Sequence, residues 1–212
     1  MSSIEIRPVT TRRERRTFLT FPWRIYRGDP FWVPPLLPER AKMIDPQRGI
    51  FFKDGVAELF IAWQNGRPVG TLSLAEEFNR TRTVGHKECM FGFVECVDNY
   101  AVFGAMFDFA EDWAHAHDMK AFYGPFNLDR EDSRGLLIEG RDRPPPILCG
   151  HHPPYYQKFF EQYGFEKMIE EKFLRAEHRT MWNVIDTPDK LMDAFRNAAR
   201  WDEDAINIAA VS

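Results

Sequence analysis

Between Val56 and Leu74 two apolar runs, VAELFIAW and PVGTLSL, flank the dipeptide Asn65-Gly66. Asn-Gly tolerates the two positive φ values of a type I′ turn, whose twist matches that of paired strands, so this stretch predicts an antiparallel hairpin. A hairpin alone is marginal in water and needs further strands or helices to cover it. Residues 89–97, CMFGFVECV, supply a third, central strand. It is apolar on both faces, as expected where a sheet is covered on both sides.

The flanking sequence supplies the cover. Ser3 to Val9 alternates like a first strand, and Thr11-Arg12-Arg13-Glu14 has capping-box spacing for a helix interrupted at Phe21-Pro22. WRIYRGDPFWVPPLLPER then reads as a rigid, turn-rich segment over the edge of the core. From Asp98, Val102, Met106, Phe109 and Trp113 recur at helical spacing, which predicts a long helix packed on the sheet. A short strand is expected over Lys120–Pro125, followed by a long connection from Phe126 to Pro154. YYQKFFEQYGFEK predicts an amphipathic helix closed by Gly164 in left-handed geometry. Phe165 then drops into the core and opens a last strand running to Ala176. Residues 177–212 change character, with a helix start at Thr187-Pro188-Asp189-Lys190 and a strand-like run from Ala205 to Val211. The expected organisation is one α/β domain over residues 1–176, and over 177–212 the start of a second repeat or a C-terminal extension.

Composition narrows the function. With 28 basic and 32 acidic side chains there is no basic field for general nucleic-acid binding, and Arg12, Arg13, Arg15 and Arg16 read as the wet face of a helix. Cys89, Cys96 and Cys149 have no zinc-ligand spacing and read as reduced, cytosolic thiols. No stretch reaches the ~18 apolar residues of a membrane span, so the cytoplasm is the expected compartment.

The element order, the hairpin QNGRPVGTL, the strand-helix unit from Phe91 to His117 and the helix end FFEQYGFEK resemble the acyl-CoA N-acyltransferase superfamily, GNAT. RIYRGDPFWVPPL, FYGPFN and HHPPYYQKFFEQYGFEK resemble, more narrowly, an uncharacterised bacterial branch of it in which a second GNAT-like half follows. The resemblance implies a mixed, mostly antiparallel sheet with helices on both faces. It also implies transfer of an acyl group from acetyl-CoA or another acyl-CoA to an amine, without metal. The expected partner is a small-molecule or other amine acceptor, with neither nucleic acid nor membrane. A second half or a homodimer is a further expectation.

Such chemistry needs an anion cradle at a helix start, a route to a neutral amine, and a proton for the leaving thiolate. The window matching the family's Q/R-x-x-G-x-G/A cradle runs from Asp98 to Phe103, with Ala101 and Phe103 where the glycines stand and Asp98 as the expected N-cap. Val97, Asn99, Tyr100 and Ala101 are the candidate cofactor contacts. Glu95, near the end of the central strand, is the candidate base, since burial beside a cleft would raise its pKa; it reads equally as a core-edge glutamate paired with an arginine. The family's tyrosine acid falls on Phe160, which leaves Tyr155, Tyr156 or Tyr163 for that role, Tyr156 being the candidate paired with Glu95. Each also reads as a packed phenol. Tyr123 and Asn127 are the candidate substrate contacts at the start of the long connection, whose charged residues could also be satisfied among themselves. His151-His152 lacks the turn-spaced partners of a metal site. Without a cradle glycine, a GNAT-shaped binding or regulatory module is the alternative function. A two-half transferase using charged tRNA ranks below both, because no basic helical hairpin is present.

Overall fold

A computed structural model describes residues 3–129, 132–145 and 149–167. Its elements are β1 Ile4–Pro8, α1 Arg12–Thr20, α2 Pro22–Ile25, α3 Leu37–Met43, a 3-10 turn Phe51–Lys53, β2 Gly55–Gln64, β3 Arg67–Glu77, α4 Phe78–Val84, β4 Cys89–Cys96, α5 Tyr100–Ala116, β5 Phe122–Tyr123 and α6 Pro154–Tyr163. The five strands form one sheet in chain order, β1-β2-β3-β4-β5. All neighbours run antiparallel except β4 and β5, which are parallel.

Local chemistry accounts for the boundaries. Glu14 accepts from Thr11 N at 2.8 Å while its own N–H reaches Thr11 Oγ1 at 3.2 Å, the reciprocal bonds of a capping box. Pro22 ends α1 and opens α2 as its first residue. Asn65 and Gly66 have φ of 52° and 70°, as the hairpin turn requires. Gly164 closes α6 at φ 104°.

Side-chain alternation sorts the sheet into two buried faces. Phe60, Ala62, Leu72, Leu74, Cys89 and Phe91 pack with Val102, Phe103, Met106 and Phe107 of α5 and with Tyr156, Phe159 and Phe160 of α6. Ile61, Ala75 and Met90 point the other way, against Phe18 of α1, Ile44 and Leu128. Gly70 lets α5 approach the sheet closely: a Cβ there would lie 2.4 Å from Met106 Sδ.

Three expectations change. The segment after Phe21 is not only turns, since α2 and α3 form within it, each with a proline in its first turn. The N-cap of α5 is Asn99, not Asp98: Asn99 is extended at φ −153° and its side chain accepts from Ala101 N. Residues 165–167, expected to begin a strand, form none, and the remainder of that strand and the 177–212 segment lie outside the described residues.

Candidate active site

The site begins where β4 and β5 part. They pair only over Cys89–Phe122 and Met90–Tyr123. Beyond that point the chain leaving β5 crosses β4 at Gly92, where a Cβ would stand 1.7 Å from Phe126 O. Phe126 N bonds Phe91 O at 2.8 Å and Asn127 Oδ1 takes Phe93 N at 2.8 Å. Phe93 adopts φ 47°, rare for a bulky residue, and its carbonyl is held from the β3 side by Thr71 Oγ1 at 2.8 Å. This is a bulge: the β3–β4 register shifts between Thr71 and Ser73. One extra residue reverses the side-chain alternation beyond it. Phe91, Val94 and Cys96 therefore share the α5 face, and Glu95 is turned to the opposite one.

There Glu95 meets phenols rather than an arginine. Tyr156 Oη donates to Glu95 Oε2 at 2.7 Å, and Tyr26 Oη lies 3.2 and 3.1 Å from the two carboxylate oxygens. Tyr26 Oη also donates to the carbonyl of His151 at 2.8 Å. Burial raises the Glu95 pKa from 4.5 to about 7, against the lowering effect of the Tyr156 hydrogen bond and, less strongly, of a Tyr26 hydrogen bond to the ionised carboxylate. Some of the residue's surface stays accessible, but its carboxylate is enclosed by protein. The same burial, with the Glu95 charge beside it, pushes the Tyr156 phenol well above its ordinary value. Tyr26 was not anticipated from the sequence: it lies 69 residues from Glu95, and only its place in an aromatic cluster set it apart. It stacks on Trp32 at 4.9 Å, and Trp32 meets Trp23 edge-on at 5.1 Å.

The parted edge of β4 is satisfied from α6. Cys96 N donates to Tyr156 Oη at 2.8 Å, and Tyr155 Oη donates to Cys96 O at 2.8 Å. Two tyrosine hydroxyls thus stand where a neighbouring strand would, as buried backbone groups require. Of the candidates at the start of α5, Asn99 Oδ1 takes Ala101 N at 3.0 Å, and Asn99 O takes Val102 N and Phe103 N at 3.0 and 3.3 Å. Val97 N is bonded to Val69 O, and the Tyr100 ring packs edge-on to Phe159. Phe103 is fully buried and turned from the helix start towards α6, with ring centroids 5.6 Å from Phe159 and 4.9 Å from Phe160.

Tyr123 is not brought to Glu95. It pairs with Met90, five residues along β4 and roughly 16 Å away at strand rise, and its hydroxyl faces Glu77 Oε2 at 3.3 Å. A groove of about 180 Å³ lies at that end, between Phe51, Met90 and Leu128. Asn127 sits beside the site, with its carbonyl committed to Phe93 N. The paired histidines serve different partners. His151 Nε2 is 2.7 Å from Asp29 Oδ2, whereas His152 Nδ1 accepts from Leu137 N at 3.1 Å and burial depresses its pKa to about 3.

The strand order, the parting of β4 from β5 and the helix that follows β4 give this chain the GNAT-type fold that its sequence resembles. No protein-family model matches the sequence. Among individual proteins it is similar to the bacterial ceramide synthase of Caulobacter vibrioides (strain NA1000 / CB15N), 35% identical over 167 residues, which are 78% of this chain and 44% of that protein. It is also similar to protein YghO of Escherichia coli (strain K12), 30% identical over 166 residues, 78% of this chain and 42% of that protein. The chain thus spans less than half the length of either relative. Among solved structures, an aminoglycoside acetyltransferase from an uncultured soil metagenomic sample in complex with sisomicin gives a TM-score of 0.49 at 9% identity, covering 82% of this chain and 95% of that one. A probable acetyltransferase gives 0.46 at 13% identity, covering 87% and 99%. Among the described residues no helix is long and apolar enough to cross a membrane.

Proposed function

We propose that this chain is an N-acyltransferase domain that moves an acyl group from an acyl-CoA thioester to an amine, with Glu95 as base and Tyr156 as acid. The observation that carries the reading is the 2.7 Å bond between Tyr156 Oη and the half-buried Glu95 at the parted end of β4. An alkylamine of pKa near ~10.4 is almost wholly protonated at neutral pH and must lose a proton before it can attack. A carboxylate poised at about 7 is half ionised there and can accept one. Carbon–nitrogen bond formation and carbon–sulfur cleavage remove two protons from the nitrogen in all. One goes to solvent, and the other passes through Glu95 and Tyr156 to the departing sulfur, Tyr156 regaining its proton from Glu95. Tyr156 therefore need not persist as a phenolate, which its surroundings disfavour.

The name of the ceramide synthase relative supports a lipid version of the reaction, since a ceramide is a fatty amide of a long-chain amine. A GNAT-shaped binding module without catalysis is the second reading. It is favoured by the Asn99 cap at the start of α5 and by the tyrosines that occupy the Cys96 edge.

The test is a melting-temperature measurement with acetyl-CoA, a long-chain acyl-CoA and free CoA, followed by thiol release in the presence of a long-chain primary amine. A ligand that binds only the folded state raises the midpoint. Transfer should require Glu95 and fall at least about 100-fold in Glu95→Gln, the usual scale for losing general-base catalysis. A thermal shift with thiol release equal in Glu95→Gln and wild type would move the base elsewhere. No shift with any thioester would leave the binding-module reading.

A further inference from the structure

Tyr26 has one hydroxyl proton and three oxygen neighbours. The carbonyl oxygen of His151 is nearest, at 2.8 Å, and can only accept. The Glu95 oxygens stand at 3.1 and 3.2 Å. When Glu95 is protonated, the Tyr26 proton therefore goes to the shorter bond, and the lone pairs of Tyr26 face the Glu95 acid. Tyr156 is set the opposite way. Its oxygen accepts the amide of Cys96 at 2.8 Å, which directs its proton to Glu95 Oε2 at 2.7 Å.

The His151 carbonyl is itself held in place. Asp29 lies within hydrogen-bonding range of Phe31 N at 2.9 Å and of His151 Nε2 at 2.7 Å. Its pKa is lowered because these bonds outweigh the opposing cost of burial, so it is an ionised acceptor and Nε2 carries the hydrogen. His151 Nδ1 is buried without a hydrogen-bond partner among the described residues, and the Asp29 bond anchors the ring.

We propose that Tyr26 is a positioning residue that accepts a hydrogen bond from protonated Glu95, and that Asp29 and His151 lock it in that role. The two phenols then flank the carboxyl group with opposite polarity. A proton arriving on Glu95 rests toward Tyr26, while the other oxygen remains bonded to Tyr156. Within the proposed transferase reading, this keeps Glu95 from discharging its proton before the thiolate forms. The polarity itself does not depend on turnover.

Of the other titratable groups near Glu95, Asp98, His151, His152, the Cys96 thiol and the Tyr155 phenol are common to every variant below, and Asp29 is absent only from Asp29→Ala. Glu95 titration is read by 13C NMR of protein labelled at glutamate Cδ, with Glu95→Gln assigning the signal. Tyr26→Phe removes an acceptor for the protonated form and is expected to shift the midpoint down by about one pH unit, the size of a single hydrogen bond. Tyr156→Phe removes a donor to the anion and shifts it up. Asp29→Ala, which leaves both phenols in place, shifts it in the direction of Tyr26→Phe by a smaller amount. An upward or absent shift in Tyr26→Phe overturns the proposal, and so does an Asp29→Ala midpoint that stays at the wild-type value. Should the assay above find no transfer while these shifts hold, the acyltransferase reading fails and the assigned polarity stands.

Discussion

Glu95→Gln isolates the energetic cost of the site. The folded protein holds this carboxyl at a pKa of about 7 against 4.5 unperturbed, a difference that corresponds to about 3 kcal/mol. The sign follows from proton counts. Between the two values the folded state binds a proton that the unfolded chain has released, so stability falls as pH rises. The favourable contribution is complete below about pH 4.5 and lost as pH passes through about 7. Glutamine does not titrate, and it can mimic the protonated acid by offering N–H to Tyr26 while accepting from Tyr156. Wild type and variant should thus be nearly equal in stability at about pH 4. By about pH 8 the variant should be more stable by about 3 kcal/mol. Urea unfolding at intervals of half a pH unit reads this directly. With m near ~1–3 kcal/mol/M, the midpoint difference should open to about 1 M or more. Subtracting one protein from the other removes the titration of all distant groups. A difference that stays within about 1 kcal/mol over this range, or grows toward acid pH, would refute the burial argument.

Gly92→Ala places a methyl group 1.7 Å from Phe126 O, so the crossing chain must retreat and give up the Phe126–Phe91 and Asn127–Phe93 bonds. A loss of about 2–4 kcal/mol by urea unfolding is expected, and a loss under about 1 kcal/mol would show that the crossing is slack. Phe103→Ala removes the ring on which α6 rests. It should cost about 3–5 kcal/mol and shift the Glu95 titration, whereas a stability loss with that titration unchanged would separate the packing of α6 from the hold of Tyr156.

The fold was legible wherever one short stretch decides its own geometry. Asn65-Gly66 takes the positive φ values of its turn, the Thr11–Glu14 pair closes its capping box, and Gly164 ends α6. α3 and α4 were missed because their apolar spacing is weak: both are seven residues long, neither has a buried side chain or a side-chain N-cap bond, and α3 begins inside a proline-rich run. Such helices exist because their neighbours hold them, and periodicity does not report that.

The site was less legible for a different reason. Period-two reading of CMFGFVECV places Phe91, Phe93 and Glu95 on one face, which would aim a carboxylate at α5. The bulge at Phe93 reverses that parity, and its supports come from Thr71 and Asn127, 22 and 34 residues away. Within β4 the one hint is the isolated Gly92, since glycine inside a strand marks a bulge or a close backbone approach without saying which side chains it re-aims. The same distance problem hid Tyr26, which reaches Glu95 only because β4 carries that side chain to the opposite face. Glu95 could be picked from residue type and position, and Tyr156 from its place in an aromatic helix. That they meet, and that a second phenol completes the enclosure, depends on one inserted residue in a strand.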